Sequence, residues 1–105
     1  MKLFKKKAYI HDDEYYYKIA RKNIRRIRLE KGLTQQDLAD MVDLSRDYIA
    51  DIENDKRNKH FTISVIGRIA EAYKIPIGDL FIETNWHINW VSTKSTSLYL
   101  SFGTT

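Results

Sequence analysis

Apolar residues recur along the chain at helical spacing and give way to polar runs where each stripe ends. Tyr17, Ala20, Ile24 and Ile27 share one face of a helix that starts at Asp12 or Asp13 as N-cap, with Glu14 in its first turn. This helix runs to about Lys31 and stops at Gly32, a residue suited to the left-handed position past a helix end. Leu38, Ala39 and Val42 mark a second, short helix capped by Thr34, and Asp37 three places on makes an approximate capping box. Ser45 opens a third helix that carries Ile49 and Ile52 and runs to about Asn54. Thr62 opens a fourth, with Ile63, Ile66, Ile69, Ala70 and Tyr73 as its buried stripe, and Pro76 ends it at or before Ile75. Residues 77–82, IGDLFI, supply a short fifth helical turn. No strand-like alternation appears before residue 85, so the predicted fold is all-α with five helices.

The second and third helices are separated only by a break around Asp43 and Leu44. Two short helices joined so tightly cross at a large angle, the geometry of a helix-turn-helix. Leu38, Ala39 and Val42 would then pack on Ile49 and Ile52. The outward residues of the third helix, Ser45, Arg46, Asp47, Tyr48, Ala50 and Asp51, would be left exposed, an arrangement that suits insertion into a major groove.

The run IRRIRLEKGLTQQDLADMVDLSRDYIADIEN, followed by a helical core ending in DLF, resembles the Cro/C1-type (XRE) helix-turn-helix family over roughly residues 19–82. Thr34–Gln35, Leu38–Ala39, Ser45, Ile49, Glu53 and Leu80–Phe81 carry the likeness in combination. IRLEKGLTQQDLA, RDYIADIE and KRN are most similar to the controller proteins of restriction–modification systems. The resemblance implies a five-helix lambda-repressor-like domain that binds double-stranded DNA as a homodimer. It assigns base contacts to Arg46 and Asp47, with Tyr48 and Asp51 as secondary candidates. Gln35 and Ser45 would meet phosphate at helix N-termini, and Asn54, Lys56, Arg57, Asn58 and Lys59 would grip it after the third helix. Arg28 and Glu53 would form a largely buried ion pair that is structural rather than DNA-contacting. Relatives often carry Gly where this chain has Asp43 in the turn and Asp55 after the third helix; Asp tolerates a left-handed backbone better than most residues.

Charge sharpens this picture. The chain has 105 residues, 30% of them charged, and a net charge of +4. All 14 acidic residues fall between Asp12 and Glu83, and residues 85–105 hold only Lys94. Three segments follow: a basic N-terminal arm, 1–11; the helix-turn-helix domain, 12–84; and a Ser/Thr-rich tail with aromatic residues, 85–105. Arg21–Arg25 and Lys22–Arg26 are like-charge pairs one turn apart, each costing about 0.2–0.5 kcal/mol. A polyanion would relieve them, so Arg25 and Arg21 join the candidate phosphate contacts. In the tail, Trp86, Ile88 and Trp90 alternate with polar residues, as do Leu98, Leu100 and Phe102. That pattern fits a strand or hairpin that pairs subunits, or a weakly ordered extension.

Other chemistry finds little support. There is no Cys, hence no disulfide or thiolate site, no Gly-rich phosphate loop and no paired His at metal spacing. His11, Asp12, Asp13 and Glu14 are contiguous and so diverge on a helix; they read as a cap, not a metal cluster. No enzyme activity, cofactor, metal or small-molecule ligand is expected. MKLFKKK is followed by polar HDDE rather than an apolar run, so neither export nor a membrane span is expected and the location is read as cytoplasmic. The function expected is a sequence-specific DNA-binding regulator, a repressor on an inverted-repeat operator. Its rivals are an antitoxin-like, partner-binding protein and a non-specific DNA-binding accessory protein of a mobile element.

Overall fold

In a computed structural model, residues 7–83 are described. The arm's first six residues and the expected 85–105 tail lie outside them. Four α-helices follow one another: α1 (Glu14–Glu30), α2 (Gln35–Val42), α3 (Arg46–Glu53) and α4 (Ile63–Tyr73). The fifth expected helix is instead a 3-10 turn, Ile77–Phe81, so the count of five α-helices does not hold. Pro76 enters this turn with an extended backbone and lacks an N–H, and Asp79 N–H closes it by donating to the Pro76 carbonyl at 3.0 Å. Too few residues follow in helical conformation for a full α-turn to propagate.

Side chains set the helix starts. Thr34 Oγ1 accepts from Asp37 N–H at 2.9 Å, and Asp37 Oδ2 accepts from Thr34 N–H at 2.9 Å, a complete capping box. Those two hydrogen bonds, the backbone one first, hold the Asp37 carboxyl below its ordinary value. Ser45 Oγ and Thr62 Oγ1 likewise accept from Tyr48 and Val65 N–H. Such a cap contributes about 1 kcal/mol. At α1 the cap comes from Asp12, whose Oδ1 accepts from Glu14 N–H, while Asp13 already has helical dihedrals.

Left-handed residues end the helices. Gly32 has φ +71°, and α2 ends at Asp43 with φ 59° and ψ 49°. After α3 the left-handed residue is Asn58, φ 49°, rather than Asp55. Lys74, φ 60°, ends α4 ahead of Pro76.

The core is one cluster: Ala20, Ile24 and Ile27 of α1, Leu38, Ala39 and Val42 of α2, Ile49 and Ile52 of α3, Val65, Ile66, Ile69, Ala70 and Tyr73 of α4, and Leu80. Two positions depart from the predicted stripes. Ile63 is 71% exposed because the first residue of α4 projects past the core, and Val65 fills the place inside. Tyr17 is half-buried, with its ring stacked on His60 at 4.0 Å and edge-on to Phe61.

Long polar side chains join the helices where apolar ones do not. Asn23 Nδ2 donates to the Leu80 and Ile82 carbonyls, both at 2.9 Å, and fastens the 3-10 turn to α1. Tyr73 Oη donates to the Ile24 carbonyl at 2.7 Å, and burial drives its phenol well above the usual range. Arg68 Nη1 reaches the Val42 carbonyl at 3.0 Å and caps the C-terminus of α2.

The capping box makes a pH prediction. Because the Asp37 carboxyl is lowered on folding, its contribution is full above the unfolded-state value and is lost as pH falls through the folded one. Thermal melts of Asp37→Ala should lie below the parent at neutral pH and converge on it as the pH is taken below about 4.

Candidate nucleic-acid interface

The turn between α2 and α3 consists of Asp43, Leu44 and Ser45 alone. Asp43 makes the reversal and Leu44 N–H donates back to the Ala39 carbonyl at 3.0 Å, closing the end of α2. Ser45 starts α3 without delay. Leu38, Ala39 and Val42 face Ile49 and Ile52 within the core, so α3 is seated by its apolar side and shows its polar side to solvent.

A buried ion pair holds that seat. Arg28 Nε and Nη2 donate to the two Glu53 carboxylate oxygens at 2.8 and 2.9 Å, and Nη1 donates to the Leu33 carbonyl at 2.7 Å. Gln35 Nε2 adds a bond to Glu53 Oε1 at 3.2 Å. The side chains are 7% and 3% exposed, and the Glu53 bond raises the Arg28 guanidinium further above its ordinary value. The pair thus ties the last turn of α1 to the last turn of α3, and Gln35 brings in the first residue of α2.

The candidate base-contacting residues lie on the free side. Arg46 and Asp47 have side chains 57% and 90% exposed and touch each other at 3.4 Å. An exposed pair at that distance contributes little, so Arg46 can leave Asp47 at small cost. Asp51, half-buried one turn on, pairs with Arg57 Nε at 3.4 Å, and the Tyr48 ring lies 5.0 Å from Lys59 Nζ. Two residues of α3 therefore hold cations of the following loop. Within that loop Asn54 Oδ1 accepts from Lys56 N–H at 2.9 Å, Arg57 N–H donates to the Asn54 carbonyl, and Asn58 makes the left-handed turn. Lys56, Arg57 and Asn58 are exposed beside α3, and Ser45 is exposed at its N-terminus.

The arginines of α1 separate. Arg25 is exposed, whereas Arg21 is 1% exposed and cannot contact phosphate, which corrects the expectation for it. Its Nε donates to the Ile52 carbonyl at 3.0 Å and its Nη2 to the Lys59 carbonyl at 2.9 Å, so it clamps the last turn of α3 to the end of the 54–59 loop. Its Nη1 is buried without a partner, and among the described residues no carboxylate pairs with it. Arg26 pairs with Glu30 at 2.8 Å, so part of the repulsion on α1 is relieved inside the chain. Arg21, Asn23 and Arg68 are positioning residues that sequence reasoning missed. For Arg21 a signal existed, since it stands seven residues before Arg28 and three before Ile24, on the same face.

Among the described residues no group of three or more His, Asp or Glu is arranged to hold a metal ion. His11 stacks on Tyr15, and Glu14 is bonded to His60. No described helix is long and apolar enough to cross a membrane.

Two short helices with a three-residue turn, the second pinned from behind and polar in front, define a helix-turn-helix protein. The helix-turn-helix family model matches residues 24–80, and the chain belongs to that family, in its Cro/C1 (XRE) type of DNA-binding transcription regulators. Over 54 residues it is 43% identical to the immunity repressor protein of Bacillus phage phi105, a match covering 51% of this chain and 36% of that protein's length. Among solved structures it is similar to the restriction–modification controller protein C.Esp1396I (31% identity, TM-score 0.55, 68% of this chain and 87% of that one). It is also similar to a hypothetical transcription factor, NHTF, from Neisseria (25% identity, TM-score 0.59, 72% and 85%).

The buried pair yields a stability prediction. Arg28→Met strands the Glu53 carboxylate and should cost about 3–5 kcal/mol in urea unfolding. Adding Glu53→Leu should recover much of that loss, because no unpaired charge is left inside.

Proposed function

We propose that the protein is a repressor that binds an inverted-repeat operator as a homodimer, with α3 of each copy in the major groove. The observation that carries this reading is the free N-terminal face of α3, where Arg46 and Asp47 project from a helix fixed by the Arg28–Glu53 pair. Arg46 offers a planar fork for O6 and N7 of a guanine, and Asp47 accepts from a cytosine N4 or orients Arg46. Tyr48 and Asp51 contact bases secondarily. Gln35, Ser45 and Arg25 meet phosphates on one side of the groove, and Asn54, Lys56, Arg57, Asn58 and Lys59 on the other. Asp51 lies beside Arg57 at 3.4 Å, which offsets its negative charge at the DNA surface. A closed pair of copies related by a two-fold axis reads half-sites about one helical turn apart, hence the inverted repeat. Similarity to an immunity repressor protein, a restriction–modification controller protein and a hypothetical transcription factor favours regulation over architecture.

A footprint on DNA upstream of the protein's own gene, at about 150 mM salt, tests the proposal. The parent should protect an inverted repeat. Arg46→Ala, exposed and so native in its melting curve, should bind that site roughly tenfold to more than a hundredfold more weakly. Lys56→Gln should weaken all sequences alike and lower the salt slope by about 1. Uniform protection that ignores Arg46→Ala would defeat the reading.

A further inference from the structure

A groove of about 710 Å³ opens between the N-terminus of α1 and the start of α4. Tyr16, Tyr17, Phe61, Ile63, Ile66 and Phe81 line it, and the exposed carboxylates of Asp12 and Asp13 stand among them. None of these residues is used in the nucleic-acid interface. Tyr16 is 56% exposed and Ile63 71%, so large apolar side chains meet solvent here. Exposed apolar surface gathered in a concave site marks a binding surface.

We propose that this groove binds the chain's own C-terminal segment, taking up the indoles of Trp86 and Trp90. The first reason is where the described chain ends. The Tyr15 hydroxyl donates to the Glu83 carboxylate, so the last described residue is fastened beside the first turn of α1, and Phe81 just before it lines the groove. Trp86 follows Glu83 by three residues, a reach of about 10 Å of extended chain.

The second reason is chemical fit. An indole has an apolar body and one N–H donor, which suits a wall of aromatic and Ile side chains with carboxylates among them. Residues 84–105 hold Lys94 and no acidic residue, so nothing in the segment is repelled by Asp12 or Asp13. The third reason is proximity. A short tether gives the segment an effective concentration on the order of millimolar at a neighbouring site, ahead of a second copy in dilute solution. The groove also includes His60 and Phe61, next to Lys59, so an occupant braces the segment that follows α3.

The two tryptophans of the chain are Trp86 and Trp90, so intrinsic tryptophan fluorescence reads this segment alone. In the 105-residue chain without DNA, emission should be blue-shifted and acrylamide quenching severalfold weaker than for free tryptophan, at every protein concentration. Ile63→Glu and, separately, Tyr16→Asp should move the emission to that of exposed indole and restore quenching, while far-ultraviolet circular dichroism stays native. Both positions are exposed, so neither change threatens the core. Solvent-like emission in the parent would overturn the proposal. So would protection indifferent to both variants, which would put the indoles elsewhere. Protection lost on dilution would overturn it too, by assigning the indoles to a second copy.

Discussion

The Arg28–Glu53 pair is the constraint on which the interface depends. A carboxylate and a guanidinium taken out of water cost several kcal/mol each, and mutual attraction offsets this only when geometry and hydrogen bonding are nearly complete. Here they are: both Glu53 oxygens are engaged, and the Arg28 Nε, Nη1 and Nη2 each donate. Satisfaction of that pair is possible in one arrangement of α1, α2 and α3. Apolar packing alone would hold α3 against α2 but would allow it to rotate or slide, since Ile and Leu contacts carry little direction. The pair removes that freedom and fixes which side of α3 faces outward.

Around it, the fold uses cationic and amide side chains as fasteners between elements. Arg21 ties the last turn of α3 to the end of the 54–59 loop, Arg68 caps α2 from α4, and Asn23 holds the 3-10 turn. Each reaches at least one main-chain carbonyl that the end of a helix or turn leaves free: Ile52 for Arg21, Val42 for Arg68 and Leu80 for Asn23. The loop after α3 is fixed from beneath by Arg21 and from α3 by Asp51 and Tyr48, which hold its cations Arg57 and Lys59. In the DNA contact proposed above, cations ordered in advance would lose less side-chain entropy on binding.

Most of the helical frame was legible in the sequence, because its signals are local. Thr34, Ser45 and Thr62 cap the helices that periodicity predicts, and Asp43 takes the left-handed turn for which its short polar side chain suits it. The local signals failed where an element is short or terminal. Residues 77–82 read as a short fifth helical turn, of which Ile77–Phe81 form a 3-10 turn, and Ile63 reads as core and lies outside, at the first residue of its helix. The left-handed residue after α3 is Asn58 rather than Asp55, and Asn tolerates that backbone as Asp does.

By itself, then, the sequence determined the helices, their caps and the tight α2–α3 turn, since each follows from spacing and from hydrogen bonds within a few residues. Tertiary structure alone decided the fate of the arginines. Arg21, Arg25, Arg26 and Arg28 belong to one basic run, yet two are buried and Arg25 is exposed. Helical spacing says which face an arginine shares. Whether it is drawn inside depends on acceptors that another part of the chain brings opposite: the Glu53 carboxylate for Arg28, and the Ile52 and Lys59 carbonyls for Arg21. Those acceptors lie 25 to 38 residues away and meet the guanidinium groups only once the helices have packed.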